Sequence, residues 1–212
     1  METPTLPTPT LPTFFSIFLL IYLSAYFLLF RNWGPKHRPG ASSCLISLSH
    51  GSAAAAMAAH AILRSHKATT FASPNTATQN TVLEFSIAYF SLDLLHYLIF
   101  FPNDVLFILH HLATLYVFTT CRYAVRHGAH AILVLLFLAE ITSGCQNAWT
   151  LAGFRRSGSP AAAKFGAADP VIPIWAWVSW MVVISTAICL SILWVLNLWI
   201  DWYKNKVQKK KR

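Results

Sequence analysis

A polytopic bundle of transmembrane α-helices, all-α in class, is the fold this sequence predicts. Of its 212 residues 56% are apolar and only 11% charged, whereas soluble domains carry about 25% charge. Six apolar stretches reach or approach the ~20 residues needed to cross ~30 Å of hydrocarbon: residues 11–30, 42–63, 82–101, 105–121, 129–149 and 171–200. All 16 Lys and Arg fall between those stretches or in the C-terminal tail. The net charge of +9 therefore reads as membrane orientation rather than as a nucleic-acid surface. A soluble enzyme and a disordered chain are excluded as well.

Residues 1–13 form a Pro/Thr-rich tail without Lys or Arg. The basic n-region of a secretory signal is missing, so residues 14–30 are expected to stay as a first transmembrane helix. The main domain is expected over 31–203, followed by a basic cytosolic tail, 204–212. Phe101-Pro102-Asn103-Asp104 is a proline-bearing turn that makes the third and fourth stretches an antiparallel hairpin. The fourth stretch is short, and either borrows flanking residues or tilts little. The last, at 1.5 Å per residue, is about 45 Å long. Its Trp175, Trp177 and Trp180 at one end and Trp194, Trp199 and Trp202 at the other fit two interfacial belts. Cys44, Cys121, Cys145 and Cys189 lie in or beside these stretches and imply no disulfide framework.

Orientation follows from where the bases lie. Counted gap by gap they number 0 in the N-terminal tail, then 3, 2, 0, 2 and 3, and 6 in the C-terminal tail. Six spans put both tails on one side, with 10 bases inside against 6 outside, and leave the basic segment 31–38 on the wrong side. An odd number of spans removes the conflict, with the N-tail outside and the C-tail in the cytosol. Two readings fit the ending Lys209-Lys210-Lys211-Arg212. Lys209 and Lys210 match a dilysine signal for retrieval to the endoplasmic reticulum, read by coat proteins. The alternative is a juxtamembrane anchor drawn to anionic lipid.

An ionisable side chain inside a span costs ~2.5–3.5 kcal/mol on insertion scales and so marks a candidate site. Asp93, His96, His110, His111 and Glu140 are such residues. Tyr89, Asp93 and His96 are spaced i, i+4, i+7 and share a helix face. Thr114 follows His110 by four positions and His111 by three. The tight turn makes these helices neighbours, so Asp93 is expected to face His110 or His111. A carboxylate bound to one imidazole nitrogen leaves the other as a general base. Glu140, Ser143 and Asn147 share a face of a third helix, with Gly144 allowing close helix approach. The competing reading is that such polar residues only bridge helices, at about 0.6 kcal/mol each. His50 and His60 lie in an alanine-rich stretch and are assigned to packing, and His127 and His130 to an interface. No His-x-x-His-His box, Cys-x-x-Cys or His-x-x-x-His pair occurs, so no metal and no other cofactor are expected. A proton-coupled relay through Asp93, Glu140 and the histidines lacks the broken spans and the repeat of a transporter.

At these residues the sequence resembles the TLC-domain family, which joins ceramide synthases, translocating-chain-associating membrane proteins and smaller lipid-related proteins. Ser86-Ile87-Ala88-Tyr89-Phe90-Ser91-Leu92-Asp93 is similar to the family's Ser-x-Gly-Tyr-Phe-x-x-Asp. His110-His111-Leu112-Ala113-Thr114 is like its His-His-x-x-Thr. Glu140-x-Thr142-Ser143, with Asn147 and Trp149, looks like Glu-x-Ser-Thr…Asn-x-x-Trp of the smaller members, and His50 falls where those often carry a histidine. The resemblance implies a TLC domain over 31–203 with a six-helix core, often preceded by one more helix, in the endoplasmic reticulum. It makes His110, His111 and Asp93 the candidate catalytic residues, and Tyr89, His96, Thr114, Glu140, Ser143 and Asn147 the candidate lipid-binding ones.

Ceramide synthases use the paired histidines in acyl transfer from acyl-CoA, the implied co-substrate of an acyltransferase reading. They also carry His-Asp-x-Ser-Asp in the following helix, where this chain has Leu138-Ala139-Glu140-Ile141-Thr142. That departure favours lipid handling, sensing or membrane lipid homeostasis, with membrane lipids as partners. An acyltransferase and a non-catalytic trafficking factor or cargo receptor are the alternatives. A further core span is expected between residue 149 and the last stretch, yet 150–170 is not apolar enough. The expectation is that one core helix is missing from this chain, through alternative splicing or a gene-model error.

Overall fold

The computed structural model describes residues 10–64 and 73–157. The chain divides into two compact units, Met1–Gly166 and Ala167–Arg212, and every described residue belongs to the first. The apolar stretch 171–200 with its tryptophans, and Lys209 and Lys210, lie outside the described residues. Five helices within the described part are long and apolar enough to cross a membrane, and no strand occurs among them.

Helix α1, Leu11–Ser24, carries a proline in its first turn, where a missing N–H leaves no bond unmade. It runs on into a π-helical turn, Ala25–Leu29. Helix α2, Arg38–Leu63, starts before its apolar stretch does, with Pro39 in the first turn. Helix α3, Ala77–Phe100, is closed at its start by a capping box in which the Gln79 N–H donates to Thr76 Oγ1 (3.2 Å) and the Thr76 N–H donates to Gln79 Oε1 (2.9 Å). Such caps contribute about 1 kcal/mol. Helix α4, Val105–Thr119, is lengthened by a second π turn, Thr120–Val125, to a span of 21 residues. The short fourth stretch is thus extended by its flank. Helix α5, Ala129–Ser157, continues two turns past Trp149.

Helix α3 is central to the described bundle, touching α1, α2, α4 and α5, and most of the residues it buries are apolar. Phe14 and Phe18 of α1 pack on Phe85 at ring separations of 5.3 and 5.0 Å. Helices α2 and α5 meet along small residues of α2, with Gly51, Ala54 and Ala58 all buried. Small residues let helix backbones close up where lipid offers no hydrophobic drive for association. Leu20, Leu98, Leu106 and Tyr116 stay exposed, as lipid-facing residues do.

Crossing in alternate directions, the helices define two ends. At one end Phe154 of α5 and Phe101 of the α3–α4 turn reach Gly40. At the other, Asn75 clamps the α4–α5 turn. Its Nδ2 donates to the Cys121 carbonyl (3.0 Å), and its Oδ1 accepts from the Ala129 N–H (3.0 Å). Arg126 takes a left-handed φ of 60° there. Glu84 pairs with Arg122 at 2.6 Å, neutralising one of the few charges at that end.

Candidate functional site

Asp93 sits in the middle of the bundle, 3% exposed, and draws donors from three elements. Ser43 of α2 donates to Oδ1 (2.7 Å), Tyr89 one turn earlier donates to Oδ2 (3.3 Å), and His111 Nε2 lies 2.9 Å from Oδ2. Of the two expected partners it is His111 that faces Asp93. Its Nδ1 lies 2.8 Å from the Phe107 carbonyl, which can only accept, so Nδ1 carries a hydrogen. One proton then lies between Nε2 and Oδ2. Whichever atom holds it, the pair is net neutral, the condition hydrocarbon tolerates. Both nitrogens of His111 are engaged, so the geometry withdraws the open nitrogen that a general base at this residue requires. His111 holds the centre together.

His110 lies beside it and differs. Its ring is exposed, 5.6 Å from that of His111 and 6.2 Å from Phe90, and takes no hydrogen bond among the described residues. Of the paired histidines it is the exposed one. Thr114 turns back on its own helix, donating to the His110 carbonyl (2.9 Å). His96 shares the face of Asp93 but points to α1, where Tyr22 OH lies 2.8 Å from its Nδ1. It is a bridge between helices rather than part of the Asp93 network.

A second polar seam joins α2 to α5. Ser143 donates to Glu140 Oε2 (2.6 Å), and Asn147 Nδ2 donates to Ser47 Oγ (2.8 Å). His50, expected to be packing, is fully buried within this seam. Its Nδ1 approaches Glu140 Oε1 at 3.4 Å without hydrogen-bond alignment, and its Nε2 lies 3.1 Å from Ser86 Oγ. The ring stacks on Tyr89 at 4.1 Å and 10°, and Tyr89 in turn bonds Asp93. The two seams are therefore contiguous through one tyrosine. Three participants escaped the reading of single residues: Ser43, Ser47 and His50. Their spacing of i, i+4, i+7 is the signal that would have found them, the same spacing that singled out Tyr89, Asp93 and His96. Close approach is allowed by Gly51, where a Cβ would stand 2.6 Å from Glu140 Oε2 and 2.7 Å from Ser143 Oγ. Around Gly144 no such crowding occurs among the described residues.

The TLC domain model matches residues 40–167, more than half of the chain and the segment that carries both seams. The chain belongs to the TLC-domain family. A TLC domain-containing protein of Arabidopsis thaliana is 51% identical over 239 residues, covering 96% of this chain and 94% of that protein. No solved structure matches. Since 96% of 212 residues is about 204, about 35 of the 239 aligned positions have no counterpart here, enough for a helix of about 20 residues with its loops.

Proposed function

We propose that this TLC-domain protein handles or senses membrane lipid in the endoplasmic reticulum and does so at the Asp93 centre. The observation that carries this reading is the pairing of a buried, neutral Asp93–His111 unit with an adjacent His110 ring left exposed on the outside of α4. A lipid reaches such a ring laterally, from the bilayer, without entering an enclosed cavity. In the acyltransferase alternative, with acyl-CoA as co-substrate, His110 is the base or nucleophile and His111 positions it. In the trafficking alternative the polar seams only fasten helices, and the tail carrying Lys209 and Lys210 directs retrieval.

The test is lipidomics of a knockout rescued by wild type or by His110→Ala. Removing the His110 ring leaves Asp93 and His111 paired, so the variant is expected to fold, reside normally and fail to restore the lipid profile. A knockout with an unchanged profile overturns both lipid readings. Full rescue by His110→Ala removes the acyltransferase.

Charge supports a cytosolic C-terminus if one further span is present. Gaps at the Gly40 end of the described bundle hold 3, 0 and 3 bases, those at the opposite end 0, 2 and 2, so the Gly40 end faces the cytosol. The final stretch alone would then carry the 6-base tail outside. One more span within the unmatched ~35 positions returns it to the cytosol. Glycosylation tags at each terminus of a protein with that segment restored are expected to mark the N-terminus and leave the C-terminus unmodified. Tags marking both termini, or neither, refute the seven-span topology.

A further inference from the structure

We infer that the cytosol-facing end of α1, α2 and α5 binds an anionic membrane phospholipid, headgroup on a basic loop and acyl chain in the groove beneath it. Arg31 and Lys36 are exposed in the loop joining α1 to α2. Arg38 closes that loop by donating from Nη2 to the carbonyls of Arg31 (2.6 Å) and Trp33 (3.3 Å), with its guanidinium 5.4 Å from the Tyr26 ring centre. Helix α5 brings a further cation to the same place. Phe154 packs against Gly40 and lies 5.6 Å from the His37 ring, and the next residue, Arg155, is exposed.

Among the described residues none of these four cations pairs with a carboxylate, and the one acid of the nearby turn, Asp104, makes no ion pair either. The opposite end is different, because Glu84 neutralises Arg122 there. Four unpaired cations thus stand on this edge against Arg64 and Arg126 at the other among the described residues, and Arg38 clamps their backbone, which lowers the ordering cost of binding a phosphate. Trp33, packed on Phe30 at 4.7 Å, stands at the depth where interfacial aromatic residues lie.

A shallow, widely open apolar groove lies beside this loop, lined by Leu20, Ser24, Ala25, Leu28, Leu29 and Leu45. Phe30, Trp33 and Phe154 belong to the cluster on which Leu45 packs, so groove and cations share one wall. A phosphate over an apolar channel has the chemistry of a phospholipid. A free phosphate needs no groove, and a neutral lipid needs no cations. No residue is shared with the Asp93 centre.

Native mass spectrometry of the full-length protein reads retention of phosphatidylglycerol against phosphatidylcholine with the same chains. Wild type is expected to favour phosphatidylglycerol. The triple variant Arg31→Gln, Lys36→Gln, Arg155→Gln is expected to weaken its retention roughly hundredfold, three charges at ~1 kcal/mol each. Arg64→Gln with Arg126→Gln, at the other end, is expected to change nothing. Ser24→Phe at the groove wall should lower retention of both lipids. Equal retention of both lipids by wild type, equal loss in the two charge variants, or displacement of phosphatidylglycerol by inorganic phosphate overturns the assignment.

Discussion

Asp93→Ala is expected to destabilise the protein by about 3–5 kcal/mol, the cost of breaking a buried ion pair from one side. Truncation strands Ser43 Oγ, Tyr89 OH and His111 Nε2, all of which converge on the lost carboxylate. His111→Ala leaves Asp93 with two hydroxyl donors, so its loss is expected to be smaller. The double variant should be less damaging than the sum of the two, because residues in one network couple. Thermal unfolding of detergent-solubilised full-length protein checks the order. His110→Ala should melt like wild type in the same experiment, since its ring is exposed and bonded to nothing among the described residues. A strict sum for the double variant, or a wild-type melt for Asp93→Ala, would show that the carboxylate does not organise α2, α3 and α4.

The second large effect is expected at Gly51. An added Cβ would stand 2.6 Å from Glu140 Oε2 and 2.7 Å from Ser143 Oγ, closer than such atoms pack. Gly51→Val is therefore expected to push α5 from α2 and part Glu140 from His50, at about 1–3 kcal/mol for overpacking. The stability loss should shrink when Glu140→Ala and Ser143→Ala are combined with it, because both crowding side-chain oxygens are gone. A loop control, Gly34→Ala, meets nothing within 4 Å and should be neutral. A loss that persists in the Glu140→Ala, Ser143→Ala background would mean that the glycine is needed for reasons other than the polar seam.

The spans were legible because hydrocarbon demands apolar length, and no soluble-protein pattern competes with that demand. Their ends were less so. Helix α2 begins at Arg38 rather than at the apolar boundary, because Pro39 suits a first turn although it adds nothing to hydropathy. Helix α5 is still helical at Arg155, past the apolar boundary at Trp149, because a helix continues through polar residues while its backbone bonds hold. The clamp of Asn75 on the α4–α5 turn joins partners 46 residues apart, a relation that periodicity does not report.

At the site, helical spacing placed Tyr89 with Asp93, and Glu140 with Ser143 and Asn147, since residues on one helix face are neighbours by construction. Sequence also singled out adjacent histidines opposite a carboxylate. Which one bonds it depends on the rotation of α4 about its axis, a quantity set by packing against α3. The same holds for His50, whose partner Glu140 lies three helices away in the chain.

Composition and apolar length determined by themselves that this is a membrane bundle, helix-face spacing showed which few polar residues inside it share a face, and only the resemblance of its motifs pointed to the TLC type. Tertiary structure alone decided the roles of those residues: His111 locked between Asp93 and its own backbone, His110 left exposed, His50 drawn into the α2–α5 seam. The physical reason is that an intramembrane polar group must find its partner on another helix, and the angle between helices is written in no one of them.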